Sequence, residues 1–302
     1  MDTYIVQFFN GISVSSIFIL AALGLGITFG LMKVINMAHG EFIMVGAYVT
    51  YLLQNLFITH LDKHVFGWYF ILAIPAAFIV AGLMGLILEA AVIRHLYGRP
   101  LDSILATWGV SLVLQQLARS IFGAPNVDVR SPGWLDGGLV VNQALQFPYK
   151  RLFIILLVMT CLVGVFLLLY KSTTGRRIRA VMQNRDMAAS LGINTRKIDA
   201  YTFAIGSGLA GIAGCALALL GSVGSTLGSA YIVDTFMVVV LGGVGTLWGI
   251  VAGGLVIGIS NTTFEFFTNT SMGKALVFML VILFLQWKPK GLLSISSRSL
   301  DD

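Results

Sequence analysis

The chain has 302 residues, 57% of them hydrophobic and only 11% charged, with a mean hydropathy of +0.91. Soluble domains carry about 25% charged residues, so this composition excludes a soluble enzyme or a solvated binding module. The formal charge of +6 does not point to nucleic acid, because the basic residues stand at the ends of apolar runs and not on one contiguous surface.

A helix needs roughly 20 apolar residues to cross a bilayer, and only helices or closed barrels can do so. The apolar runs here are continuous and not alternating. The expected fold class is therefore all-α: one polytopic transmembrane bundle over residues 1–302 with about eight membrane segments. The first run, Ile12–Leu31, has no Lys or Arg before Lys33, so a signal peptide with its positive n-region is not expected. Next come Ile35–Phe57, Phe66–Ile93 and Leu101–Phe122, then a polar stretch over 123–150, then Arg151–Leu169. Seven of the nineteen basic residues follow, from Lys171 through Arg176, Arg177, Arg179, Arg185 and Arg196 to Lys197. Lys and Arg mark the cytoplasmic side. Counting outward from 171–197 puts Lys33, Arg94 and Arg99 inside and the N-terminus outside.

After the span Ile198–Gly221 and a Gly/Ser-rich loop, the run Phe236–Gly258 is broken by Gly242, Gly243 and Gly245. A plain span there would leave Lys288 and Lys290 outside. A re-entrant turn at mid-membrane would keep the C-terminus, after Ala275–Trp287, in the cytoplasm, and is the expected arrangement. Glycines at 206, 208, 211 and 214, and at 249, 253, 254 and 258, suit close helix packing. Cys161 and Cys215 lie in apolar runs and read as small free hydrophobes. No internal sequence repeat is visible.

Nucleotide, metalloprotease, serine-hydrolase and dithiol motifs are all absent, so neither a cofactor nor a metal is expected. His39 and Glu41 are two residues apart and would face different ways on a helix, which makes a poor metal pair. Polar groups inside apolar segments by default mark a functional site. The solute-pathway candidates are Asn36, His39, Glu41, Thr107, Trp108, Ser111 and Gln115, with the turn glycines Gly242, Gly243 and Gly245. Gln116, Arg119, Glu89 and Glu265 are further polar groups in such segments. The alternative for all of them is interhelical hydrogen bonding that only holds the bundle together. In the basic segment, Asp186–Leu191 reads as a short helix stopped at Gly192, suited to docking a partner. The alternative is an ordinary positive-inside loop.

The stretches "INMAHGE", "DMAASLGIN" and "VVVLGGVGTLWG" together resemble the permease subunits of ABC importers for branched-chain amino acids and urea, over about residues 8 to 292. The loop resembles the importer pattern Glu-Ala-Ala-x-x-x-Gly: Asp186, Ala188 and Gly192 occupy its first, third and last positions, and Met187 replaces the first Ala. The resemblance implies that Asp186, Met187, Ala188, Leu191 and Gly192 form a coupling helix seated in a separate ATPase subunit. It implies a second permease, two ATPase subunits, a periplasmic substrate-binding protein and alternating access, in a bacterial inner membrane. Trp108, Gln115-Gln116 and Ser131-Pro132-Gly133-Trp134 look most like the urea-type permease. A branched-chain amino acid permease of the same family is the alternative, and a passive urea channel the alternative from another class.

Overall fold

The computed structural model describes residues 2–32, 34–60, 66–97, 99–142 and 145–293. Lys33 and the chain's last nine residues lie outside these. Eleven α-helices are present among the described residues: α1 (Asp2–Met32), α2 (His39–His60), α3 (Tyr69–Ala91), α4 (Pro100–Phe122), α5 (Tyr149–Lys171), α6 (Thr173–Gln183), α7 (Arg185–Ser190), α8 (Thr195–Ala218), α9 (Leu227–Gly242), α10 (Leu247–Phe267) and α11 (Thr270–Trp287). Seven of them, α1, α2, α3, α5, α8, α10 and α11, are long and apolar enough to cross a membrane. The chain is a polytopic helical membrane protein. α4 is as long as these but carries Asp102, Thr107, Ser111, Gln115, Gln116 and Arg119, and α9 has only 16 residues.

One feature of the polar stretch was not expected. β1 (Gly138–Asn142) and β2 (Leu145–Pro148) form an antiparallel pair between α4 and α5.

α1 and α8 are the buried centre of the bundle, and the other helices pack around them. The end of the bundle that carries α6 and α7 is called the basic end here. α1 runs towards it, but α2 does not start there. His39 Nε2 donates to the Ala21 carbonyl at 3.2 Å, eleven residues before α1 ends. At 1.5 Å per residue this is about 16 Å back into the bundle. The non-helical residues 34–38, buried at Val34, Asn36 and Ala38, make that return.

α9 begins at the same depth from the opposite direction. Gly40 and Gly228, the second residues of α2 and α9, touch backbone to backbone, and a Cβ on either would overlap the other's carbonyl oxygen. Only glycine allows this approach. From that point α2 runs away from the basic end and α9 towards it. α3 then packs along α8, and α10 along α1. Thus α1–α2–α3 and α8–α9–α10 have the same succession in opposite directions: a long helix, a return into the bundle, a helix starting inside it, and a helix packed on the other unit's first. This is the inverted-repeat plan of many transporters.

The chain reversal expected at Gly242–Gly245 is present, with positive φ at Gly243 (103°) and Gly245 (81°). Its depth differs from the expectation. A Cβ on Gly30, near the end of α1, would stand 3.0 Å from the Gly245 Cα, and Leu293 N donates to the Gly242 carbonyl at 3.1 Å. The turn therefore lies at the basic end. The irregular backbone at membrane depth is at 34–38 and 219–226 instead.

Candidate functional site

The break before α2 gathers most of the polar residues singled out from the sequence. Asn36 Oδ1 accepts from Ala38 N at 3.0 Å, and the Asn36 carbonyl accepts from His39 N at 3.3 Å. An asparagine that bonds its own backbone two residues on makes a local turn, which is how the chain enters α2. Thr107 of α4 steadies the same break: its Oγ1 accepts from Met37 N at 3.1 Å and donates to the Ser103 carbonyl at 2.7 Å.

Glu41 lies in the first turn of α2, where the helix dipole favours a negative charge. Its Oε1 accepts from Ser111 Oγ at 2.8 Å and from Gln115 Nε2 at 2.8 Å, and Gln115 Nε2 is 3.2 Å from Ser111 Oγ. Ser111 and Gln115 are four apart on α4, so both reach one carboxylate oxygen. Asn36, His39, Glu41 and Thr107 are all buried. Among the described residues, Glu41 Oε2 and Asn36 Nδ2 are buried without a hydrogen-bond partner. An unpartnered buried polar atom costs about 1–3 kcal/mol, so two of them at one break call for a partner such as a water or an ion.

Trp108 is not part of this cluster. It is 54% exposed, on the face of α4 turned away from the buried Thr107 and Ser111. Gln116 and Arg119 are exposed as well. Gly242, Gly243 and Gly245 are at the basic end and do not meet the Glu41 cluster. Glu89 pairs with Arg94 at 3.2 Å, and Glu265 accepts from Asn261 Nδ2 at 3.1 Å. Among the described residues no group of three or more His, Cys, Asp or Glu could hold a metal.

The second candidate element is at the basic end. Asn184 Oδ1 caps α7 by accepting from Met187 N at 2.9 Å. At the other end Ile193 N donates to the Ala188 carbonyl at 3.1 Å and Gly192 N to the Ala189 carbonyl at 2.9 Å. These two bonds, with Gly192 at φ +82°, form a Schellman motif. Ala188 is buried, whereas Asp186 is exposed and Met187 and Leu191 are 59% and 76% exposed. α7 is thus fixed at both ends and presents two large apolar side chains outward.

Sequence reasoning missed what ties α7 to the bundle. Arg185, its first residue, pairs with the fully buried Asp199 of α8 through both guanidinium nitrogens. The same guanidinium lies 4.8 Å from the centre of the Tyr97 ring. Tyr97 donates to Glu89 at 3.4 Å, and its burial raises the phenol's pKa well above the usual range. Fourteen residues separate Arg185 from Asp199, so no local spacing announces the pair. Asp234 of α9 and Lys274 of α11, 3.4 Å apart, were legible as ionisable residues in apolar helices and were not singled out.

A helical bundle with two helices starting inside it, and polar side chains gathered at the break, is a plan that many membrane transporters share. The comparison with protein families is specific. The chain belongs to the family described as "Branched-chain amino acid transport system / permease component", whose model matches residues 7–285. It is 29% identical to the high-affinity branched-chain amino acid transport system permease protein LivH of Escherichia coli K12, over 96% of this chain and 95% of that protein. To BraD of Pseudomonas aeruginosa, a permease protein of the same description, it is 28% identical over 96% of this chain and 95% of that one. To LivM of Escherichia coli K12 it is 26% identical over 95% of this chain and 70% of that one. No solved structure matches the chain.

Proposed function

We propose that this chain is the membrane-spanning permease subunit of an ATP-driven importer, one permease domain over residues 1–302. A second permease, two separate ATPase subunits and a periplasmic substrate-binding protein complete the complex. The observation that carries this reading is α7: a doubly capped, six-residue helix between two spans, with Met187 and Leu191 exposed. A passive channel has no use for such a ridge, whereas an ATPase subunit needs a rigid element to push. Asp186, Met187, Ala188, Leu191 and Gly192 are the coupling residues in this reading. Arg185–Asp199 carries their displacement into α8.

The basic end is the cytoplasmic side by the positive-inside rule, which puts the start of α1 in the periplasm and the C-terminus in the cytoplasm of a bacterial inner membrane. At the break, Asn36, His39, Glu41, Thr107, Ser111 and Gln115 form the polar part of the pathway or its gate, and Gly242–Gly245 shapes its cytoplasmic rim. Trp108 faces the lipid or the second permease.

For the solute, the names of the relatives support a branched-chain amino acid. Urea is the second reading. A small neutral solute suits the unpartnered Glu41 Oε2 and Asn36 Nδ2, but Trp108 supplies no narrow aromatic wall beside them. Uptake of labelled leucine and labelled urea by the reconstituted complex, each with and without ATP, tests both parts. ATP-dependent uptake of leucine alone supports the first reading and of urea alone the second. ATP-independent urea flux would mean a channel.

A further inference from the structure

We propose that the protein holds one anionic phospholipid in the cleft between α1, α5, α6 and the Gly243–Thr246 turn. The cleft has a volume of about 780 Å³, within the usual range for ligand sites, roughly 300–1,000 Å³. Its floor is α1 around the part-exposed Gly30, over which Met182 and the Gly245 backbone pack closely. Its walls are apolar, with Leu23 and Ile27 on one side and Ile250 on the other. Leu23 and Ile250 close the inner end, and the accessible apolar lining is Leu169, Tyr170, Met182 and Val244.

The rim has the opposite character. Arg176, Arg179 and Gln183 line it from one face of α6, and among the described residues no acidic side chain lines the cleft. Arg179 stacks over the Tyr170 ring at 4.8 Å, which holds its guanidinium at the mouth. Guanidinium groups at the membrane surface above an apolar groove match a phosphodiester and its acyl chain, and basic pockets between membrane helices recognise such headgroups. The other occupants fit less well. A helix of a partner subunit seated here would cover two arginines without a counter-charge, which is costly. A free phosphate would leave the apolar lining at Leu169, Tyr170 and Val244 uncovered. The flanking helices α5 and α10 are both long and apolar enough to span a membrane. This proposal rests on the membrane reading alone and not on the importer reading.

Native mass spectrometry of the full chain, delipidated in detergent and titrated with dioleoyl phosphatidylglycerol or dioleoyl phosphatidylcholine, tests it. The expected result is one phosphatidylglycerol held at least tenfold more tightly than phosphatidylcholine. Arg179→Gln should weaken phosphatidylglycerol about tenfold, the usual worth of one charge-assisted hydrogen bond, and leave phosphatidylcholine unchanged. Ala180→Trp, which fills the mouth, should weaken both lipids. Arg177→Gln, on α6 but outside the cleft, should change neither and serves as the control for general charge. Equal retention of the two lipids would overturn the proposal, as would an Arg177→Gln effect as large as that of Arg179→Gln. Displacement of phosphatidylglycerol by millimolar inorganic phosphate would also overturn it, by reducing the site to an anion contact. If Arg179→Gln does not give a monodisperse protein, Arg176→Gln, at an exposed position, is read in its place.

Discussion

Breaking the Arg185–Asp199 pair from its two ends should give unequal results. Asp199 is 0% exposed and Arg185 is 37% exposed. Arg185→Gln leaves a carboxylate in the bundle without its counter-charge, and removing one partner of a buried pair costs about 3–5 kcal/mol. Asp199→Asn leaves a guanidinium that can turn to water, so the loss approaches that of a half-exposed pair, about 1 kcal/mol. The double variant Arg185→Gln/Asp199→Asn has no orphan charge and should also lose only about 1 kcal/mol, far less than the sum of the two. The assay is the thermal unfolding midpoint of the purified chain in nanodiscs, run as a double-mutant cycle. The order expected is Arg185→Gln lowest, with Asp199→Asn and the double variant close together above it. Equal single losses that add in the double variant would refute the reasoning and reduce the pair to a surface contact.

Gly192→Val should uncouple ATP hydrolysis from uptake while the bundle stays folded. A Cβ there meets nothing within 4 Å, so the cost is the left-handed backbone alone, about 1–2 kcal/mol; normal coupling ratios in proteoliposomes would count against the docking role. Gly40→Ala should destabilise the whole fold by about 1–3 kcal/mol or more, because the methyl meets the Gly228 backbone and neither helix start can move away. An unchanged unfolding midpoint would mean that the two helix starts are not packed together. Gln115→Leu removes one of two donors to Glu41 and should slow uptake several-fold with normal assembly, whereas Trp108→Ala should leave uptake kinetics unchanged. The reverse pattern would move the pathway to the outer face of α4.

The membrane-spanning helices were legible because bilayer thickness fixes a length and a composition that few other structures share. The short helix α7 was legible for a local reason: Gly192 is a stop signal that acts within a few residues of Asp186–Leu191. What escaped depends on return contacts. The glycines at 242–245 announce a reversal but not its depth, which is set by Gly30 and Leu293, one on each side of it in sequence and both far off. The inverted repeat left no visible repeat in the sequence, since the two units share a succession of helices and small residues at crossings, and those needs are met by many different sequences. In the Asn36–His39–Glu41 stretch the polar cluster was apparent. That it marks a return into the membrane follows only from the His39–Ala21 contact. Trp108 was named with Ser111 and Gln115 as a pathway candidate; in the structure the buried face of α4 runs through Ser103, Thr107 and Ser111, which leaves Trp108 outside.

The most direct test of the account is solute uptake into proteoliposomes containing this chain, its second permease and the ATPase subunits, with the binding protein supplied on the side opposite the basic end. The account predicts accumulation of labelled leucine against its gradient that stops when ATP is omitted and is lost with Gly192→Val. Downhill solute flux through this chain without ATPase or ATP, unchanged by Gly192→Val, would contradict it.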